Sequence, residues 1–206
     1  MSVSAPAPGD TPARGSYAAD LDADAPALIA RARDGDAEAF GLLYARYAAP
    51  VQRFIYFRVG DRALAEDLAS ETFLRALRRI DGFTWRGTDF GAWLMTIARN
   101  LVIDHFKSGR HRLEVCIADP LEPEPYGPLS EGPEDRVLDA FTRRTVLGEL
   151  GRLGPAQREC IVLRFLHGLS LAETAAVMGR NEGAIKALQY RAVRALARRL
   201  PSDFGP

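Results

Sequence analysis

The feature that most constrains this chain is the stretch 170–200, which has the pattern of two helices joined by a tight turn. Ser170 and Glu173 form the spacing of a capping box, which predicts that a helix starts there. Gly179 is a residue type that ends helices, and Asn181 is a favoured cap for the helix that follows. This pattern is typical of a helix-turn-helix, whose second helix lies in a DNA major groove.

The predicted second helix has two different sides when its residues are placed at about 100° each around the axis. The apolar side carries Ile185, Leu188, Ala192, Val193, Ala195, Leu196 and Leu200. The opposite side, called here the basic face, carries Lys186, Ala187, Tyr190, Arg191, Arg194 and Arg198. Two amphipathic helices joined by a glycine turn also occur in ordinary helical bundles, where a basic face is simply solvated. This stretch alone therefore leaves both interpretations open.

Charge is distributed unevenly along a chain whose formal net charge is zero. Residues 143–200 contain 11 Lys and Arg and 4 Asp and Glu, so their net charge is +7. Residues 114–142 contain 8 acidic residues and one Arg, so their net charge is −7. The basic end suits a polyanionic partner, and it follows an acidic connector.

Several classes of protein lack support in the sequence. The two cysteines, Cys116 and Cys160, form no CxxC pair and no zinc-type Cys/His cluster, so we expect both to remain thiols in a reducing compartment. There is no apolar run long enough to insert into a membrane, and the N-terminus is too polar for a secretion signal. We expect a cytoplasmic protein.

Enzyme signatures are also missing from the sequence: it contains no P-loop, no dinucleotide fingerprint, no HExxH and no plausible Cys/His dyad. We therefore expect no catalytic residues, no metal, no cofactor and no small-molecule substrate.

The helical periodicity predicts an all-α fold of two small helical domains joined by a flexible acidic linker. We expect a disordered N-terminal arm at 1–24, a first module at 25–112, and a Pro- and Gly-rich linker at 113–134. The second module, at 135–200, contains the helix-turn-helix, and 201–206 form a tail.

Two stretches of the first module suggest surfaces. A helix that begins after Asp61 has a charged side, which solvent exposure alone could explain. Further on, an aromatic loop leads into a helix, capped by Thr88 or Asp89, in which basic residues follow aromatic ones. That combination suits single-stranded nucleic acid, because bases stack on rings while the phosphates follow positive charge. Alternatively the rings are core: we expect this of Trp93, whereas the sequence does not decide it for the loop residues Phe83 and Trp85. We also expect Pro50 to begin a new helix.

The chain resembles a bacterial sigma-70-family sigma factor of the small extracytoplasmic-function (ECF) type. The residues that carry the resemblance are AEDLASETFLRALRRI and FGAWLMTIARNLVIDHFKSGRHR, followed after the linker by LGPAQRECIVLRFLHGLSLAETAAVMGRNEGAIKALQYRAVRAL. The resemblance implies a subunit that binds core RNA polymerase, directs it to promoter DNA and is held in check by an anti-sigma factor. It makes the first module sigma region 2 and the second module sigma region 4.

The resemblance also implies site residues, position by position. Those facing the −35 element are Arg164, Lys186, Ala187, Tyr190, Arg191 and Arg194. Those at the melted −10 element, where a base is flipped into a pocket, are Phe83, Trp85, Arg99, Asn100, Asp104, Lys107 and Arg110. Those that contact the polymerase are Asp67, Glu71, Phe73 and Arg75. The alternative to a sigma factor is a stand-alone helix-turn-helix regulator that binds duplex operators, which leaves the first module without a clear task.

Overall fold

A computed structural model describes residues 24–84, 89–110, 145–146 and 148–200 of the chain. All regular structure within these ranges is helical, and they contain no strand, which confirms the predicted all-α class. The predicted linker and tail, and all of the predicted arm except residue 24, lie outside the described residues.

The described part of the first module contains four helices. They are α1 (Ala25–Arg33), α2 (Ala37–Val59), α3 (Arg62–Arg79), which a 3-10 turn over Ile80–Gly82 follows, and α4 (Phe90–Arg110). The second module contains α5 (Pro155–Ile161), which continues into a π-helical turn over Val162–Leu166, then α6 (Leu171–Met178) and α7 (Glu182–Ala197). Residues 145–146 and 148–151 are helical as well.

Short polar side chains cap α2, α3 and α4. Asp36 accepts hydrogen bonds from the first-turn amides of α2, and Asp61 accepts one from the amide of Leu64 in α3 at 2.8 Å. Asp89 accepts from the amide of Gly91 at 2.6 Å, so it is the cap of α4 that was predicted at Thr88 or Asp89. These bonds satisfy amides that have no partner within their helix.

Pro50 does not begin a helix, contrary to the prediction. It lies inside α2, which runs through it without interruption. An internal proline costs a helix about 3 kcal/mol, because it has no amide hydrogen and its ring crowds the preceding turn. Buried side chains precede and follow Pro50 on the same helix, among them Tyr47 and Val51, and their burial offsets that cost.

The core of the first module forms where α2 packs against α3, α1 and α4. Its largest fully buried side chains include Phe54, Phe90, Leu43, Ile55 and Leu94. In the second module α7 packs across α5 and α6. Ile185 of α7 and Leu163 of the π turn are fully buried there.

The two modules are in contact, although the sequence suggested separate bodies on a tether. Helix α4 of the first module packs against α6 of the second, and one continuous apolar cluster extends from α2 and α4 to α6 and α7. The described residues include no helix that has both the length and the apolar character to cross a membrane.

Candidate nucleic-acid interface

The helix-turn-helix is built by local hydrogen bonds that the sequence encodes. The Ser170 hydroxyl accepts from the Glu173 amide at 3.2 Å, and the Glu173 carboxylate accepts from the Ser170 amide at 2.7 Å, which completes the capping box. Gly179 ends α6 with φ 62°, a left-handed conformation that favours glycine. The Asn181 side chain then accepts from the Ala184 amide at 2.8 Å and starts α7. These caps fix the turn between α6 and α7.

Helix α7 presents the predicted basic face to solvent. Lys186, Ala187, Arg191 and Arg194 are exposed, and Tyr190 is 63% exposed. The opposite side is anchored by buried residues, Ile185, Leu188 and Ala192.

Two residues of the basic face, Tyr190 and Arg194, contact each other. Arg194 donates to the Tyr190 hydroxyl at 3.3 Å, and its guanidinium lies 5.7 Å from the centre of the Tyr190 ring. Val193, which the helical wheel placed on the apolar side, is largely exposed instead. The apolar stripe is therefore narrower at Val193 than the sequence predicts, although Ala195 and Leu196 further along α7 pack against the core.

Arg164 is interior, which corrects the surface contact predicted for it. The residue is 3% exposed, and its guanidinium donates to the Leu169 carbonyl and, at 3.1 Å, to the side-chain oxygen of Gln189. Burial lowers the pKa of the Arg164 guanidinium, and the Cys160 thiol and the Glu173 carboxylate counteract this. Arg164 therefore joins the turn before α6 to α7, and in this conformation it is not presented to DNA.

Helix α4 has an exposed polar side in its second half. Asn100, Asp104 and Lys107 are exposed and recur at the spacing of one helix face. Trp85 and the side chain of Arg110 lie outside the described residues. Arg99, the remaining cation predicted here, points elsewhere: its Nε lies 2.7 Å from Oε1 of Glu159 in the second module.

Phe83 is also interior, 5% exposed, so the structure resolves this loop residue in favour of core packing. Its ring centroid lies 5.4 Å from that of Phe90 and 5.0 Å from that of Trp93. Trp93 is partly buried against the same core, as predicted. Phe83, Phe90 and Trp93 form an aromatic support beneath the first turn of α4.

Helix α3 exposes a charged side and buries its aromatic residue. Asp67 is exposed, and Arg75 donates to Glu71 at 2.7 Å in a half-exposed ion pair. Phe73 is only 4% exposed, and its ring packs edge-on against Tyr44 with centroids 4.7 Å apart. Phe73 therefore supports this surface from below, which corrects the direct contact predicted for it.

A charged group between the modules was missed by sequence reasoning. The Glu159 carboxylate of α5 pairs with Arg58 of α2 and with Arg99 of α4. Periodicity within one helix carries no information on contacts between helices that are far apart in sequence, so no pattern marked Glu159. Beside this group lies a cleft of about 370 Å³ between the modules. Its walls are Phe54, Phe57, Arg58, Phe106, Pro155, Arg158, Glu159 and Val162.

The described residues contain no candidate metal site, and the cysteine among them is buried. They contain no group of three or more His, Cys, Asp or Glu side chains placed to hold a metal ion. Cys160 is a buried free thiol, and burial raises its pKa to about 11, so it stays protonated at neutral pH. Cys116 lies outside the described residues.

Two family models match the chain in order. Sigma-70 region 2 matches residues 43–112, and Sigma-70 region 4 matches residues 150–198. The first match contains α3 and α4, and the second contains the helix-turn-helix.

Similar proteins carry consistent names. The ECF RNA polymerase sigma factor BldN of Streptomyces coelicolor is 60% identical over 176 residues, which cover 85% of this chain and 66% of that protein, just under two thirds. The RNA polymerase sigma factor CarQ of Myxococcus xanthus is 38% identical, with 78% of this chain and 88% of CarQ covered. The ECF sigma factor SigL of Mycobacterium tuberculosis is 32% identical, with 82% of this chain and 93% of SigL covered.

Solved structures with a similar fold are complexes. One is CnrH with the cytosolic domain of CnrY, at a TM-score of 0.58 and 27% identity, covering 87% of this chain and 96% of that one. Another is the sigma factor RpoE with the anti-sigma factor NepR from Bartonella quintana, at a TM-score of 0.64 and 26% identity, covering 80% and 98%.

Proposed function

This chain belongs to the ECF-type sigma factors of the sigma-70 family, and we propose that it binds core RNA polymerase and directs promoter-specific initiation of transcription. The observation that carries the proposal is the match of regions 2 and 4 in one chain, in the family's order, on two modules that each expose a suitable face. The chain acts as a specificity subunit and supplies no catalytic residue, and it works in the cytoplasm where its polymerase is.

The second module reads the −35 element. Helix α7 enters the major groove with its basic face, on which Lys186, Ala187, Tyr190 and Arg191 reach base edges and Arg194 holds phosphate. Arginine pairs with guanine O6 and N7, and a small methyl group such as that of Ala187 contacts the thymine methyl. The Arg164 contact with Gln189 supports this role, because it fixes the orientation of α7 from beneath.

The first module holds the melted −10 strand. Flipping a base out of the stack costs a few kcal/mol, which contacts in a preformed pocket must offset. Asn100 and Asp104 supply polar groups for such a pocket, and Lys107, Arg99 and Arg110 supply phosphate contacts. Phe83 acts as aromatic support through its contact with Trp93, and Trp85, two residues further along the chain, is assigned to the −10 strand.

The charged side of α3 binds the polymerase, through Asp67, Glu71 and Arg75. A further partner is an anti-sigma factor, since similar folds have been solved in complexes of that kind. Its binding would compete with that of polymerase for surfaces of both modules.

Reconstituted transcription tests the proposal. Purified protein and core RNA polymerase are incubated with a pool of genomic promoter fragments, and transcript starts are mapped. We expect initiation from a discrete set of fragments that depends on both components, with shared sequences upstream of the starts. Absence of initiation, together with tight duplex binding by the protein alone, would instead establish the operator-binding regulator.

A further inference from the structure

One buried carboxylate connects the two modules. Glu159 is 7% exposed, and its Oε1 atom contacts both the Arg58 guanidinium of α2 and, at 2.7 Å, the Arg99 guanidinium of α4. Both arginine side chains are themselves mostly buried. Water screens such a buried carboxylate little, so both ion pairs are effective, and the bond from Arg99 is also a charge-assisted hydrogen bond.

The apolar contacts between the two modules leave part of the interface open to water. Phe54 meets His167 across it, with ring centroids 6.0 Å apart, and α4 packs on α6. Next to these contacts the 370 Å³ cleft remains open, and Phe106 on its wall is about half exposed. Apolar surface that stays in contact with water contributes nothing to holding the modules together. The ion pairs of Glu159 therefore act beside the apolar contacts of α4 with α6, as charged contacts that join one module to the other.

The packed arrangement conflicts with promoter reading. Elements centred at −35 and −10 lie roughly 25 base pairs apart, and at about 3.4 Å per base pair this is roughly 85 Å along the duplex. Two modules that share one apolar cluster cannot occupy both elements at once. Moreover, Arg99 cannot hold a phosphate while its guanidinium is paired with Glu159.

We propose that Glu159 is an intramolecular latch, which keeps the modules closed by occupying Arg58 and Arg99 until nucleic-acid phosphate takes over Arg99. Carboxylate and phosphate are alternative partners of the same kind for a guanidinium. Nucleic acid thus opens the chain through the same contact with Arg99 that it uses to bind. In a chain without DNA, Arg99 is paired with Glu159 and is not available to phosphate. This inference rests on the proposed function in one respect, which is that the polyanion that opens the chain is a strand of promoter DNA.

Energy transfer between dyes on the two modules tests the latch. Ala63→Cys in α3 and Ala197→Cys in α7 place the labels at exposed positions, in a Cys116→Ser background. Cys160 can stay, because its thiol is buried and protonated. We expect high transfer in the parent and a clear loss in Glu159→Gln, with an increase of about tenfold or more in the open-to-closed ratio, since removing one partner of a buried pair leaves the others uncompensated.

Glu149→Gln is the matched control. Glu149 is a similarly buried carboxylate of the second module, but it pairs with Arg152 in the same module. We expect Glu149→Gln to leave the transfer efficiency unchanged. Equal transfer in the parent and in a folded Glu159→Gln variant, with folding checked by circular dichroism, overturns the latch. If Glu159→Gln does not fold, the double variant Arg58→Gln, Arg99→Gln is measured instead, and the same outcomes decide.

A single-stranded DNA 20-mer tests the opening step. We expect it to reduce transfer in the parent, and to bind Glu159→Gln about tenfold more tightly because no closed state competes. DNA that binds the parent without reducing transfer overturns the displacement step. The latch and the proposed function can fail independently. If Glu159→Gln loses energy transfer but the protein does not initiate transcription, only the proposed function is overturned. If the protein initiates transcription but energy transfer in Glu159→Gln is unchanged, only the latch is overturned.

Discussion

Arg164 Nε donates to Gln189 Oε1 at 3.1 Å and so attaches the π-helical turn to the middle of α7. The same guanidinium holds the Leu169 carbonyl just before α6 begins. One buried cation therefore fixes both helices of the helix-turn-helix relative to each other, which is a structural role for a residue predicted to touch DNA.

Replacing Arg164 by leucine should destabilise the protein by about 2–3 kcal/mol, because a buried carbonyl and the Gln189 amide lose a charged donor. Urea unfolding followed by circular dichroism measures this, with Lys186→Ala as the control that should change stability by less than about 0.5 kcal/mol. If the Arg164→Leu variant has normal stability but fails to bind promoter DNA, the result would support a direct contact of Arg164 with DNA.

The double variant Lys186→Ala, Arg191→Ala should weaken binding to −35 DNA by about 100-fold and leave binding to core polymerase intact, because both side chains are exposed and belong to the basic face. Fluorescence anisotropy over a series of salt concentrations measures the affinity and its salt dependence. Arg31→Ala, Arg33→Ala removes the same charge from α1 and should retain the affinity. A parallel loss of polymerase binding would mean that the basic face of α7 is structural.

Arg75→Ala should weaken core-polymerase binding by about tenfold or more, because arginines at interface centres carry a large share of binding energy. Its folding should hardly change, since the half-exposed pair with Glu71 contributes about 0.5 kcal/mol or less. Arg62→Ala is the control, since Arg62 forms the equivalent i,i+4 pair with Glu66 at the start of the same helix. Comparable losses of polymerase affinity in both variants would contradict the assignment of Arg75.

The stability of the protein should fall below about pH 6.5 because of His167. Burial lowers the pKa of its imidazole to about 3, with a smaller contribution from Arg53, and its Nε2 has no hydrogen-bond partner among the described residues. The unfolded chain binds a proton at about pH 6.5 and the folded chain does not, so this stability is complete above pH 6.5 and is lost towards pH 3. The slope approaches about 1.4 kcal/mol per pH unit.

Urea unfolding between pH 7.5 and 5.5 measures this slope, in a range that lies above most carboxylate titrations. His167→Leu should flatten the dependence, since the unfolded chain then no longer gains a proton at this position. An unchanged slope in that variant would assign the effect to other groups.

Much of the secondary structure follows from the sequence alone because its determinants are local. Asp36, Asp61 and Asn181 cap helices through amides within three residues of themselves, and such bonds depend on no distant contact. The exposed face of α7 follows in the same way from helical periodicity and one buried stripe. Local sequence rules give the wrong result at Pro50. They place a helix start there because proline inside a helix is unfavourable, but the packing of α2 outweighs that cost.

The sequence by itself determined most of the helices and their caps, the order of the two modules and the basic face of α7, but not the course of α2 through Pro50. Only the tertiary structure decided that Phe73, Phe83 and Arg164 are interior and that Glu159 reaches Arg99, a partner 60 residues away. The physical reason is the range of the forces involved. Caps and periodicity act within a few residues, whereas burial and ion pairing depend on which helices the folded chain places side by side.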